Sequence, residues 1–320
     1  MEEGSSFRGG GGINIRSAND VVLIDASNVT GNSTGPSGRG GGISNSGTLV
    51  IQNGAAISGN TSGSHGGGIS NNQGAQITID ASTVSGNIST TGHAGGIYSS
   101  GLNAQVTIRN GSQIGRQGDG NQATSQGGNS GIGGGIFNEF LSTLTIDDSQ
   151  VRFNQGRAGG GVANSADADI LNGSVIGNNN YEITGGGVLN TGLNARLTIN
   201  KSWIHSNVPS IAIFGGGGGV SNENGGIAVI ENNSLIGGEG TGNMGPRGGG
   251  LSNFGGASEL TVDASEVSGN QASLGGGLYV ADGVIVIRNG SRIGTEPAPN
   301  IADSAGGGIF STGADSEITV

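Results

Sequence analysis

The chain has 320 residues, of which 72 are glycine and 3% aromatic, and 23 acidic side chains against 12 basic ones give it a formal net charge of −11. An acidic surface with Lys201 as its only lysine repels phosphate backbones and anionic membranes, so nucleic-acid binding is not expected. Without cysteine there is no disulfide or thiolate-metal chemistry, no stretch is apolar enough for membrane insertion, and the opening MEEGSSFRGG lacks the basic region and apolar core of a signal peptide.

Glycine at this level suits disorder, but the glycines here are ordered along the chain. Eleven clusters each run into one aliphatic residue, Ile13, Ile43, Ile69, Ile97, Ile136, Val162, Val188, Val220, Leu251, Leu278 and Ile309, at spacings of 26 to 39 residues. A unit of that size with only short aliphatic runs cannot bury a face alone, so successive units must stack. Two further strands follow in each unit. One ends at Ile24, Ile51, Ile79, Ile108, Ile146, Ile170, Ile199, Ile230, Val262, Ile287 and Val320, mostly with a second aliphatic two positions earlier, which turns both side chains inward. The other is marked by Val29, Ile57, Val84, Ile114, Val151, Ile176, Ile204, Ile236, Val267 and Ile293. Three short strands per coil predict an all-β fold, a right-handed single-stranded parallel β-helix (β-solenoid) of about ten and two-thirds coils, as one domain over 1–320 without recognisable caps.

Polar residues recur with the strands. Asn45, Asn71, Asn138, Asn164, Asn190, Asn222 and Asn253 each lie two positions after an anchoring aliphatic and are read as structural amide ladders. Asn32, Asn87, Asn154, Asn207 and Asn270 follow the third-strand aliphatic by three. The separation between the second and third inward aliphatics alternates between five and six residues, and the six-residue bends mostly carry Asn-Gly, where left-handed backbone is tolerated. A duplicated two-coil unit of about 59 residues explains that alternation. Insertions gather between the third strand and the next glycine cluster, the longest over 115–135, which makes one edge loop-rich and the expected site of partner contact.

Segments such as VSGNQASLGGGL (267–278) and ASTVSGNISTTGHAGGI (81–97) resemble the glycine-rich repeats of bacterial polymorphic outer-membrane proteins and related secreted, pectin-lyase-like β-helix proteins. The resemblance runs along essentially the whole chain and implies an extracellular or cell-surface β-helix. Its functional implication is broad, because adhesins, structural surface proteins and polysaccharide enzymes share that scaffold. The signal sequence and C-terminal membrane barrel of autotransporting members have no counterpart here.

Three groups of residues are candidate sites. Arg39, His65 and His93, each four positions before an anchoring aliphatic, should stack as a cationic stripe able to hold a carboxylate; two imidazoles without a nearby carboxylate make too poor a metal site, and no metal or other cofactor is expected. Asp147, Asp148, Asp167 and Asp169, with Arg152 and Arg157 nearby in sequence, are the catalytic candidates if the chain is instead a polysaccharide lyase or glycoside hydrolase, the one reading that would call for calcium. Asp80, Arg109 and Asp147, and again Asp263 and Arg288, alternate in sign as register-setting surface pairs. Outward Thr78, Thr107, Thr145, Thr198 and Thr261 suggest an ice-binding face, interrupted by Leu23, Val50, Asp169, Val229 and Val286.

Residues 1–8 contain no amphipathic helix to cover the first coil, and the last coil stops at Val320. Ile13, Ile309 and Val320 are therefore expected to form self-association ends through which copies stack into filaments. The expected function is a non-catalytic extracellular structural or adhesive scaffold that binds itself or a cell-surface or extracellular glycan or protein.

Overall fold

A computed structural model describes residues 5–6, 9–124, 130–210 and 215–320; among these there is no helix, and the strands pair parallel, each with its equivalent one coil away. The chain divides into two compact units, Met1–Val162 and Ala163–Val320. In the first, the glycine-anchored strands Ile13–Ile15, Ile43–Asn45, Ile69–Asn71, Ile97–Ser99 and Ile136–Asn138 form one ladder, with Ile43 opposite Ile69 and Ile69 opposite Ile97. Five-residue strands form the second, where Ile79 faces Ile51 on one side and Ile108 on the other. A third aligns Val29, Ile57, Val84, Ile114 and Val151. The second unit repeats the scheme, with Ile199, Ile230, Val262 and Ile287 in register. The architecture is a parallel β-solenoid with the three expected strand ladders.

A period of two decides which side chains meet. In Gln76–Asp80, Ile77 and Ile79 are buried while Gln76, Thr78 and Asp80 are not. Each buried aliphatic contributes about 1.5 to 3 kcal/mol, enough to fix the register but too little alone to order a coil. The glycine clusters supply further backbone pairing: Gly67 N–H donates to the Ala94 carbonyl at 3.0 Å and Gly68 N–H to the Gly96 carbonyl at 3.1 Å. Two constraints keep these positions glycine. Gly66 has φ 66, and a Cβ on Gly67 would collide with the backbone of Gly95 and Ile88.

The structure adds a fourth ladder to the three. Its strands are mostly two residues long, such as Ser33–Thr34, Thr61–Ser62 and Ile88–Ser89, and lie in the corner read from sequence as loop-bearing. In the second unit Met244–Arg247, Gln271–Leu274 and Ile301–Ala305 pair in the same way. The expectation for residues 1–8 lies outside the described residues except at Ser5–Ser6, which pairs with Ser33 and Thr34. So does the 125–129 portion of the long insertion.

Asparagine amides tie the coils together at two corners. Asn45 Nδ2 donates to Asn71 Oδ1 at 2.9 Å, and Asn71 Nδ2 to Ser99 Oγ at 3.2 Å. In the second unit Asn164, Asn190 and Asn222 each pass a bond of 2.7 Å to the next asparagine, ending at Asn253. Asn138, whose Oδ1 accepts from Ser142 Oγ at 2.7 Å, is buried like the others. The second series is denser than the sequence suggested. Asn32, Asn60, Asn87, Asn121 and Asn154 are one continuous ladder, and Asn179, Asn207, Asn243, Asn270 and Asn300 another, in which both the backbone N–H and Nδ2 of one residue donate to Oδ1 of the next. Asn60 and Asn179 keep the three-residue spacing; Asn121, Asn243 and Asn300 are displaced by four-residue insertions that hid them.

The alternation of bends has a backbone cause. In long bends Asn53, Asn110, Asn172 and Asn289 take φ between 53 and 58, while in short bends Ala26, Ala81, Asp148, Lys201 and Ala264 take φ between 44 and 49. The amide after Asn53, Asn110 and Asn172 donates to the carbonyl of the left-handed residue one coil on: Gly54 to Ala81 at 2.9 Å, Gly111 to Asp148 at 2.6 Å, Gly173 to Lys201 at 2.7 Å. Long and short bends are complementary halves of one hydrogen-bonded unit.

Candidate functional site

The loop-bearing edge of the first unit brings together one of the predicted clusters. Arg39, His65 and His93 occupy equivalent positions in consecutive coils, just before the glycines that open each anchored strand. The two imidazoles stack, with centroids 5.1 Å apart and planes 16° from parallel. Tyr98, directly after the anchoring Ile97, stacks on His65 at 4.6 Å, and the Arg39 guanidinium lies 5.7 Å from the Tyr98 ring centre. Phe137 closes the group edge-on to His93, and the Tyr98 hydroxyl donates to Glu139.

Both imidazoles also serve as backbone acceptors. His93 N–H donates to His65 Nδ1 at 3.0 Å, and Ile132 N–H to His93 Nδ1 at 3.3 Å. An Nδ1 that accepts cannot carry the proton, so each neutral ring holds it on Nε2. Burial, with the Arg39 charge second, holds His65 down to about 4, and burial also lowers His93 against the opposing pull of Glu139. Tyr98 is raised to about 12, chiefly by burial and next by its bond to Glu139. The expected cationic stripe is thus neutral at its two histidines near pH 7, and Arg39 carries its positive charge. With Nδ1 engaged, only Nε2 of each ring is left to a metal. Among the described residues no three His, Asp or Glu side chains gather as a metal site. Tyr98, Phe137 and Glu139 went unnoticed in sequence, although the residue after the glycine-anchored aliphatic is a fixed position of every coil.

The acidic candidates fall in both units. Asp147 ends the strand Thr143–Asp147 and Asp148 is exposed in the following bend. Asp167 and Asp169 lie on the outward side of Asp167–Leu171, and Asp169 pairs in register with Thr198. Arg152 lies 5.3 Å from the Phe153 ring centre and bonds Gln150 Oε1 at 3.4 Å.

The alternating surface charges make defined clamps. Arg109 Nε donates to Asp80 at 2.9 Å and Arg288 Nε to Asp263 at 2.8 Å. Sequence reading missed the second arm of each: Asn110 Nδ2 donates to Asp80 at 2.8 Å, Asn289 Nδ2 to Asp263 at 2.7 Å, and Asn53 Nδ2 to Asp25 at 2.6 Å. The amide bond is the largest single cause that holds the Asp80 and Asp263 carboxyls below the usual range, and the hydrogen bond and charge of the guanidinium add to it. Thr78, Thr107 and Thr145 align in register, next to Val50; Thr198 and Thr261 alternate with Val229 and Val286.

Ile13 and Ile309 are half-buried. In the final strand, Glu317–Thr319, Ile318 pairs opposite Ile285, which puts Val320 just after it in step with Ile287, and Val320 is 91% exposed.

Comparison of the chain with protein-family models, curated proteins and solved structures finds no match. The class established is therefore that of the fold, a parallel β-solenoid scaffold.

Proposed function

We propose that the chain is a non-catalytic structural or adhesive scaffold, working outside the cell or on a bacterial surface, whose loop-bearing edge meets a protein or glycan partner. One observation carries this reading: the buried polar side chains are engaged along the coils rather than held ready for a substrate. The amides of Asn60, Asn87, Asn121 and Asn154 each both donate and accept, and among the described residues Arg152 Nε is the one buried side-chain nitrogen or oxygen without a partner. Groups fixed in this way stabilise a framework, whereas acid-base catalysis needs a titratable group poised against an open site. The edge around Arg39, His65 and His93 sets an exposed cation beside two half-buried imidazoles that pack on the buried Tyr98 and Phe137 rings, features suited to recognition.

Incubation with acidic polysaccharides, with and without calcium, tests this against the enzyme alternative. No new reducing or unsaturated ends are expected. Cleavage that disappears in Asp147→Ala or Asp169→Ala would replace the scaffold with a polysaccharide-degrading enzyme.

A further inference from the structure

Where each coil of the first unit approaches its anchored strand, two titratable side chains stand inside the backbone ladder. The carbonyls of that ladder accept in the ordinary way: Gly40 N–H donates to His65 at 3.0 Å, Gly66 to His93 at 2.9 Å and Ala94 to Ile132 at 2.9 Å. The N–H groups of His93 and Ile132 go instead to imidazoles of the preceding coil, to His65 Nδ1 at 3.0 Å and His93 Nδ1 at 3.3 Å. Gly131 N–H pins the same stretch to the Gly92 carbonyl at 2.8 Å. At the matching corner of the second unit the rungs are closed by carbonyls, as where Gly218 donates to Gly248 and Gly248 to Leu274.

From this geometry we infer that His65 and His93 form an acid-sensitive latch on the loop-bearing edge, shut while both rings are neutral and released as they take up protons. A proton can enter only at Nδ1, because Nε2 already carries one. An imidazolium donates at both nitrogens, so the N–H of His93 or Ile132 would then face another donor and its bond is lost. Opening and proton uptake are one event, since parting the backbone frees the lone pair that binds the proton. Of the groups facing the rings, Arg39 and His93 oppose a charge on His65, and Glu139 favours one on either ring. Tyr98, raised to about 12, stays neutral and keeps Glu139 bonded. Burial outweighs these, so both rings lie below their ordinary 6.5 in the fold, His65 at about 4. Each returns toward 6.5 on opening, so acid favours the open form below 6.5, and the gain from His65 ends near 4, where it protonates in place. The consequence for a partner rests on the role proposed for this edge: acid loosens the surface and adds charge beside Arg39, which weakens a partner fitted to its neutral, ordered form.

Hydrogen exchange of the full chain, read amide by amide and corrected for the intrinsic effect of pH, tests the latch. Between pH 7 and pH 5 protection at the His93 amide should fall by about twentyfold, the factor for one ring that returns from about 4 to 6.5 on opening. Protection at Ile132 should fall in the same direction, while the Gly218 and Gly248 amides, bonded to carbonyls, keep theirs. His65→Gln offers the His93 amide an acceptor that does not titrate, so its protection should stay flat across that range. Protection at His93 and Ile132 that falls no further than at Gly218 and Gly248 would overturn the inference without requiring any variant to fold, as would an unchanged acid loss at His93 in His65→Gln. The measurement needs no partner, so its failure sinks the latch alone, and the search for polysaccharide cleavage products decides the scaffold reading separately.

Discussion

Asn87 shows how much one side chain does in this fold. Its Nδ2 donates to the Ile57 carbonyl and to Asn121 Oδ1, both at 2.9 Å, while its Oδ1 accepts the backbone N–H and Nδ2 of Asn60 at 3.0 Å each. Asn87→Ala removes the acceptor of two buried donors and opens a space beside them, so a loss of about 3 kcal/mol is expected in denaturant unfolding. Asn87→Asp keeps the size but not the donors and buries a charge; it should not rescue stability. A second residue-scale expectation concerns pH. His65 has an ordinary value of 6.5 and about 4 in the fold, so the unfolded chain binds the proton more readily. The stability His65 contributes is complete above 6.5 and is lost as pH falls through the window down to about 4. His65→Gln should flatten the fall in unfolding midpoint across that window; an unchanged slope would show that the column does not couple protonation to folding.

At the scale of the strand and bend, the packing of glycine backbones matters more than glycine's conformational freedom. Gly67 lies between coils, where an added Cβ meets the backbone of Gly95 and Ile88, whereas Gly54 has φ 77 but open space around it. Gly54→Ala is expected to cost about 1 kcal/mol, the penalty of left-handed backbone, and Gly67→Ala about 3 kcal/mol, because the ladder must part to admit the methyl. Thermal unfolding of the two variants would reverse this account if Gly54→Ala were the more damaging. The three long ladders were legible because Ile77 and Ile79, or Val106 and Ile108, carry a period of two beside a glycine anchor. The fourth was not, because Thr61–Ser62 and Gln122–Ala123 contain no apolar alternation and pair only because neighbouring strands bring them into register. Short bends hid their backbone for a similar reason: Ala81 and Lys201 do not announce a positive φ as Asn-Gly does. The site was half-readable. Spacing placed Arg39, His65 and His93 together, but depressed basicity comes from burial against Tyr98 and Phe137, which stand where other coils carry Ser44, Ser70 or Ala163 and so belong to no repeat.

For the molecule as a whole, stacked coils make stability a matter of neighbours. Within the first unit Ile79 contacts its equivalents Ile51 and Ile108 and is fully buried. Ile79→Ala should cost about 2 to 5 kcal/mol, the range for deleting a buried isoleucine side chain down to its Cβ. In a globular core such a loss would spread over every element, but a solenoid couples each coil mainly to the next. Hydrogen exchange of the variant should therefore quicken at Leu49 to Gln52 and at Val106 to Arg109, the strands on either side, while Val21 to Asp25, one coil further away, keeps its native protection. The asparagine ladder opposes this locality, since it runs unbroken from Asn32 to Asn154 and could transmit the disturbance along the axis. Loss of protection confined to the adjoining strands would show that apolar stacking sets the cooperative length; uniform loss from Val21 to Asp147 would assign that role to the amide ladder.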